Sequence, residues 1–501
     1  MNRHRLTLLP FLVALASVSF GGRFAAGSEI PLSLDTVVRT AIERNLGLRV
    51  ETYNPAIAET GILRAGSIYN PMLNALLDHR GENFRLLPDP SPVERNRFFD
   101  ADVSVDQLIG TGATASVSFQ NLWSRQTSGS STLRTAQPEL LLSLSQPLLA
   151  GFGREVTQRG ITVAADAKEA ALAGWHSLAL TVAANARDAY FSLIKAKEDL
   201  STREASLALA RQIHAENEAR VRAGVLASIE LLDSEFGLAG RERELLEAQK
   251  NVLEQEDRLR VLIQYPDRGP LSPEASFPDA RVQVLEQAAT EAALRSRPDL
   301  REARISQRTL EFQARMSRNL ALPSLSVTGS AGLHGLGSGY GDAIDDMASG
   351  DTPFWSVGLA FSYPLGNDAA RADLAEARLR TRQAEAQVRN LEESIGLEVR
   401  TAIRNMETKS REIDVAKKGV TLGEARLASF LKRGKLGLAT TKNILEVEAD
   451  YAAARDALTS ARADYQGAVT RFYQSTGELL ERHGIRIDDR EIEKMARKEI
   501  R

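Results

Sequence analysis

Histidines, carboxylate pairs and a glycine-rich stretch are where this sequence could do chemistry, and each lacks the spacing that chemistry needs. His4, His79, His176, His214, His334 and His483 are scattered, without the short intervals of a metal-ligand set. The stretch 332–341 has neither the phosphate-loop lysine nor the dinucleotide fingerprint. It reads as a flexible loop between two strands, outside the cell, followed by Asp342, Asp345, Asp346 and Asp351. No serine stands in a nucleophile elbow, and the many paired carboxylates fall on helix faces, where solvated charge is ordinary. With no cysteine in 501 residues there is no disulfide, thiolate metal site, cysteine nucleophile or acylated N-terminal cysteine. The sequence predicts no enzyme, no catalytic residue, no metal and no cofactor.

Two segments suggest binding instead. Arg220-Val221-Arg222-Ala223-Gly224-Val225 and Arg433-Gly434-Lys435-Leu436-Gly437-Leu438 each end a long helical pattern. Gly224 and Gly437 can adopt positive φ and reverse the chain, which suffices to explain both glycines. Ala223, Val225, Leu436 and Leu438, exposed at a hairpin tip, have less structural reason to be apolar and suggest a partner surface.

The elements that position these turns come in two copies. Ala41, Ile42, Leu48, Arg49, Pro71 and Leu73 recur as Ala293, Leu294, Leu300, Arg301, Pro323 and Leu325 at an offset of 252. Later the offset is 213: Leu178, Arg187, Arg220, Gly224, Leu232 and Glu235 match Leu391, Arg400, Arg433, Gly437, Leu445 and Glu448. The first copy therefore carries about 39 extra residues between Pro71 and Ser145. We divide the chain into 1–27, 28–284, 285–480 and a charged tail 481–501, expected to be solvated or partly disordered. Residues 1–27 have a basic start, an apolar run and small residues, the layout of a secretory signal peptide. The 66 acidic and 63 basic side chains leave no basic field for nucleic acid.

Each copy reads helix, strands, long helix, shorter helix. Ala370, Leu374, Ala377, Thr381, Ala384, Val388, Leu391 and Ile395 form a heptad seam rich in small residues. Spans 154–222 and 366–435 would each run about 100 Å, and 34–69, 226–264, 285–321 and 438–477 about half that. Placing 226–264 end to end with 285–321, and joining the two terminal helices likewise, predicts four rods. The proline-rich stretch 265–280 sits between the first pair.

Trp355, Val357, Leu359, Phe361 and Tyr363 alternate with small residues, an apolar face suited to lipid. Residues 113–120 and 140–145 alternate likewise. Two strands per copy cannot close a barrel, and an open edge in lipid is costly. If the strands span a membrane, the chain must therefore oligomerise, and three subunits would give 12 strands and 12 rods. Segments 98–108 and 112–123 form an extra hairpin that lengthens strands, forms loops or adds strands.

With Leu144-Ser145-Gln146-Pro147-Leu148 before Gly151-Phe152-Gly153, their counterpart Ser362-Tyr363-Pro364-Leu365-Gly366, and both tip turns, the chain resembles the TolC family of outer-membrane channels. The resemblance implies a mainly α fold with a membrane β-barrel part, trimeric, the barrel continuing into a long periplasmic α-helical barrel. It implies an efflux or type I secretion duct, with a periplasmic adaptor docking on the tip turns and an inner-membrane transporter as further partner. It also implies that Glu230, Asp233, Asn443 and Glu446 line a narrowed periplasmic entrance, although Asn443 departs from the family's acid. Solvated helix charge explains these residues equally well. The alternative function is a periplasmic coiled-coil scaffold without a pore.

Overall fold

The computed structural model describes residues 30–85, 93–265, 269–274, 276–278 and 280–485. The signal segment and the tail beyond Ile485 lie outside them.

Strand β1 (Ile30–Leu32) leads into α1 (Leu34–Arg44), α2 (Leu46–Glu51) and α3 (Tyr53–Gly66). Four long strands follow: β2 (Met72–Arg85), β3 (Val93–Leu108), β4 (Thr114–Ser128) and β5 (Ser131–Pro147). The chain then leaves the sheet through α4 (Arg154–Thr157), the 64-residue α5 (Arg159–Arg222) and α6 (Ser228–Ile263). Strand β6 (Leu271–Pro273) pairs in parallel with β1, so the proline-rich link is pinned to the start of the first helix.

The second half repeats the plan with α7 (Glu286–Ser296), α8 (Pro298–Leu320), β7 (Ser324–His334), α9 (Tyr340–Ser349), β8 (Pro353–Ser362), the 68-residue α10 (Asp368–Lys435), α11 (Thr441–Thr476) and α12 (Leu479–Arg482). The expected first short helix of each half is broken, and broken at matching places. Asn45 and Arg297, 252 residues apart, both leave helical ψ (123° and 124°), and their N–H groups bond back to Ala41 and Ala293. Pro298 enforces the second break by starting a new helix without its N–H.

One expectation about the rods is corrected. The stacking is α1–α3 above α6 and α7–α8 above α11: α1 packs on α6, and α7 on α11. At the second junction the Arg297 side chain donates to the carbonyl of Ser475 at 3.5 Å. Each short helix stays against the long helix of its own half, because a tight turn or a strand pair makes that neighbour cheapest to reach. The link 264–285 must then cross between rods instead of continuing one. The main core sits at this mid-height level, with Val37, Val38, Ala179, Ala183, Leu193, Ile395, Val399 and Leu479 fully buried. Small residues on α5 (Ala179, Ala183, Ala186) let backbones approach closely.

The sheet also departs from the expected count. All six long strands form one antiparallel sheet in the order β2-β3-β4-β5-β7-β8, so the extra hairpin is a full-length strand pair, β3–β4. It starts at the level of the helices. Gly153 N–H bonds to Thr111 O at 3.0 Å, and at Gly112 (φ +92°) an added Cβ would lie 2.6 Å from the Gly151 carbonyl. Twelve strands from three copies is therefore too few for this chain. The glycine-rich stretch, expected as a flexible loop, ends β7, bridges Ala136 through Gly337 and runs into α9, whose Ala343 is fully buried.

Candidate functional site

The register divides the sheet into two chemically different faces. One row runs Leu73, Val105, Val117, Leu142, Ala331 and Trp355 across all six strands. The next residues along the strands form Asn74, Ser104, Ser118, Leu141, Gly332 and Phe354 on the opposite face, and further rows there bring Asp106, Ser116, Ser143, Ser330 and Ser356. The predicted lipid-facing residues Trp355, Val357, Leu359 and Phe361 lie 77, 73, 73 and 67% exposed on the apolar face of β8. Tyr363 stands one residue past the end of that strand. Both edges, β2 and β8, are unpaired in the single chain. Strand β2 runs away from the rods and β8 returns to them, so β8 of one copy can pair antiparallel with β2 of the next.

At the far end of the rods the two turns meet. Gly224 and Gly437 take φ of 72° and 71°, and in each turn the residue after the glycine bonds back to the arginine five positions earlier: Val225 N–H to Arg220 O, and Leu438 N–H to Arg433 O, both 2.9 Å. The guanidinium of Arg220 donates to Gly434 O at 3.3 Å. That of Arg433 lies over the Phe430 ring at 5.6 Å.

A cavity of about 900 Å³ opens between the turns, lined by Arg220, Val225, Glu230, Leu436, Leu438 and Ile444 among others. Gly437 and Asn443 also line it; Ala223, Gly224, Arg433, Asp233 and Glu446 do not. Val225, Leu436 and Leu438 are 77, 75 and 73% exposed.

The four residues expected at a constriction do different jobs in this conformation. The carboxylate of Glu230 accepts from the backbone N–H of Thr441 at 2.7 Å, binding one turn to the start of the helix after the other. Asn443 closes a local cap with Thr440, whose hydroxyl accepts the Asn443 N–H and donates to its Oδ1. Glu446 is exposed and Asp233 half-buried. Two residues not singled out from the sequence complete the joint. Asn217 Nδ2 donates to Thr441 Oγ1 at 2.7 Å and to Glu230 O at 3.3 Å, with both Asn217 and Thr441 buried. Only the polar character of Asn217 within an otherwise heptad-like stretch pointed to it.

Higher on the rods, ionic groups bridge the two halves. Arg241 Nη2 meets buried Glu448 at 2.6 Å, and Arg203 pairs with both Asp456 and Glu244. Beside them, burial and then the neighbouring Asp456 carboxylate push Asp199 up to about 6. At mid-height, His483 Nδ1 lies 2.6 Å from Asp35 Oδ1, and His483 Nε2 lies 3.0 Å from Arg187 Nη1. A neutral ring donating to Asp35 and accepting from Arg187 fits this geometry. Burial first, and the Arg187 charge as well, hold that ring below the usual histidine range against the opposing Asp35. His483 and Ile485, at the start of the expected loose tail, are thus packed on the core, whereas Glu481, Arg482 and Gly484 stay exposed.

Among the described residues no group of three or more potential ligands could hold a metal, and no helix is long and apolar enough to cross a membrane. A sheet with one apolar and one hydroxylic face, unpaired at both edges, thus continues into long paired rods. Residues 289–478 match the profile of the family described as outer membrane efflux protein. Over that stretch the chain is similar to the outer membrane efflux protein family.

Outer membrane protein TolC of Escherichia coli (strain K12) is 24% identical over 296 residues, an alignment covering 57% of this chain. The chain spans 59% of the length of that curated relative. Among solved structures, the Campylobacter jejuni CmeC outer membrane channel matches with a TM-score of 0.62 at 17% identity, over 92% of this chain and 89% of that one. The open state of the Neisseria gonorrhoeae MtrE outer membrane channel matches with a TM-score of 0.62 at 19% identity, over 89% of this chain and 88% of that one. These likenesses concern the fold, which is a helical barrel with a sheet region.

Proposed function

We propose that this protein is a passive exit duct of the outer membrane that performs no chemistry itself. It assembles from three copies whose sheets close one barrel. The observation that carries this is the pair of unpaired, oppositely directed edge strands β2 and β8 on a sheet with one lipid-compatible face. An open edge in hydrocarbon leaves backbone groups unsatisfied at several kcal/mol each, and joining copies edge to edge satisfies them. Six strands from each of three copies make a wall of 18, an even number as antiparallel closure requires. A wall of that size encloses an aqueous channel. The Ser, Thr and Asp residues of the opposite face suit that lining.

The rods extend this channel into the periplasm, and the turns at Gly224 and Gly437 form its far tip. The cavity between them, with exposed Val225, Leu436 and Leu438, is the docking place of a periplasmic adaptor that brings an inner-membrane transporter. Asp233 and Glu446 narrow the entrance as threefold carboxylate rings. Glu230 acts differently, as the clasp between the turns that must release when the tip opens.

Single-channel recording in planar bilayers tests the duct. The purified trimer should give cation-preferring currents that rise when Asp233 and Glu446 are both neutralised. A soluble monomer, or a protein that inserts without conducting, would overturn the reading in favour of a poreless scaffold.

A further inference from the structure

We infer that the outer end of the sheet binds a phosphate-bearing lipid headgroup of the outer leaflet, an inference that rests on the sheet being a membrane wall. Arg97, Arg125 and Arg134 stand directly opposite one another on β3, β4 and β5. All three are exposed, and all lie on the apolar face. Three like charges in cross-strand register repel one another. No described carboxylate lies within ion-pair distance of any of them; the nearby pair of Arg80 with Asp100, at 3.6 Å, belongs to the opposite face. The arrangement lacks an anion, and the sheet places that anion outside the wall.

Its height along the wall identifies the source. Directly beneath the arginines lies an aromatic row: Phe99 and Trp123 have ring centroids 5.3 Å apart, and Tyr340 of α9 packs 5.3 Å from Trp123 on the other side. Aromatic rows of this kind mark the membrane–water boundary of a barrel. From Ala115 to Trp123 the apolar face of β4 covers about 27 Å of strand, or about 21 Å along the membrane normal at a tilt of about 40°. An apolar band of a barrel is about 25 Å tall, so the arginines fall just past its edge at the end remote from the rods. That end faces the cell exterior, where the headgroups of the outer leaflet lie.

The same level holds a shallow cavity of about 320 Å³, walled by Arg97, Arg125, Arg134, Trp123, Ser338 and Gly339. Guanidinium forks match phosphate oxygens in pairs, and an aromatic floor suits the sugar and upper acyl carbons of a glycolipid. Arg97 and Arg125 are both on the added hairpin, which therefore brings most of the site with it.

The test uses the full-length trimer in non-ionic detergent, with bis-phosphorylated lipid A as probe and native mass spectrometry as readout. The R97Q/R125Q/R134Q variant should bind the probe on the order of 100-fold more weakly, and R125Q alone about fivefold. Arg80→Gln, on the opposite face, should bind like the parent protein. Unchanged binding by the triple variant, or equal binding of dephosphorylated lipid A, would overturn the inference. So would displacement of the lipid by inorganic phosphate at equal concentration, which would mark a free-anion site. Bilayer conductance separates the two levels: a parent protein that conducts but does not discriminate phosphorylation sinks this inference alone, whereas one that never inserts sinks the wall. If the triple variant fails to assemble, R125Q decides.

Discussion

Glu230 on α6 accepts a hydrogen bond from the backbone N–H of Thr441 at the start of α11, 2.7 Å away and 211 residues along the chain. The acid after one turn thereby caps the helix after the other, and Asn217 holds both partners from α5. The two tips are one joint.

Breaking that joint should loosen the tip without unfolding the rods. Glu230→Ala should cost about 1 kcal/mol locally, the worth of one capping hydrogen bond. The measurement is amide hydrogen exchange, expected to accelerate at Thr441 and through 436–445 while α8 stays protected. Equal exchange in both proteins would mean that Glu230 does not hold the turns.

The two faces of β8 should answer differently to charge. Val357→Arg puts a cation on the apolar face and should cost about 2–4 kcal/mol at mid-membrane, seen as loss of heat-resistant trimer. Ser356→Arg, one residue away on the opposite face, should assemble normally and reduce conductance to cations. The reverse result would invert the assignment of lipid and lumen.

Asp199 makes the rods depend on pH in a defined direction. Its folded value is raised to about 6, so the fold favours the protonated form. The stabilisation is complete below the usual aspartate range and is lost as pH rises through about 6. Asp199→Asn should therefore be more stable than the parent at pH 7.5 by about 1 kcal/mol, discounted for partial exposure, and by roughly half as much at pH 5. Thermal melts at the two values check this.

His483 acts in the opposite direction. Its folded value is lowered, so the neutral ring is favoured and its stabilisation is present above the usual histidine value of about 6.5. That stabilisation is lost as pH falls below this value. Limited proteolysis should find α12 and residues 483–485 released at about pH 5 and protected at pH 8, and His483→Phe should flatten the difference. Asp199 thus favours acid pH and His483 favours pH above the usual histidine value, so the two groups oppose each other.

Much of the site was readable residue by residue. Helix spans followed from apolar periodicity, with ends that differ by a few residues. Gly224 and Gly437 marked the tips because only the left-handed conformation turns the chain there, and both adopt it. The apolar face of β8 followed from strict alternation. The acids were harder, because a carboxylate near a helix start looks the same whether it lines a pore, meets solvent or, like Glu230, caps a distant helix.

Sequence alone determined the duplicated order of elements, the two turns and the absence of chemical motifs, since these depend on residues within a few positions of one another. Tertiary structure decided which surfaces meet. It stacked α1–α3 on α6 instead of joining the terminal helices, and made the extra hairpin two full strands of a six-stranded sheet. It also set Arg97, Arg125 and Arg134 side by side. Strand register and helix stacking are choices among distant partners, settled by the summed burial and hydrogen bonding of whole faces, and no local pattern encodes that sum.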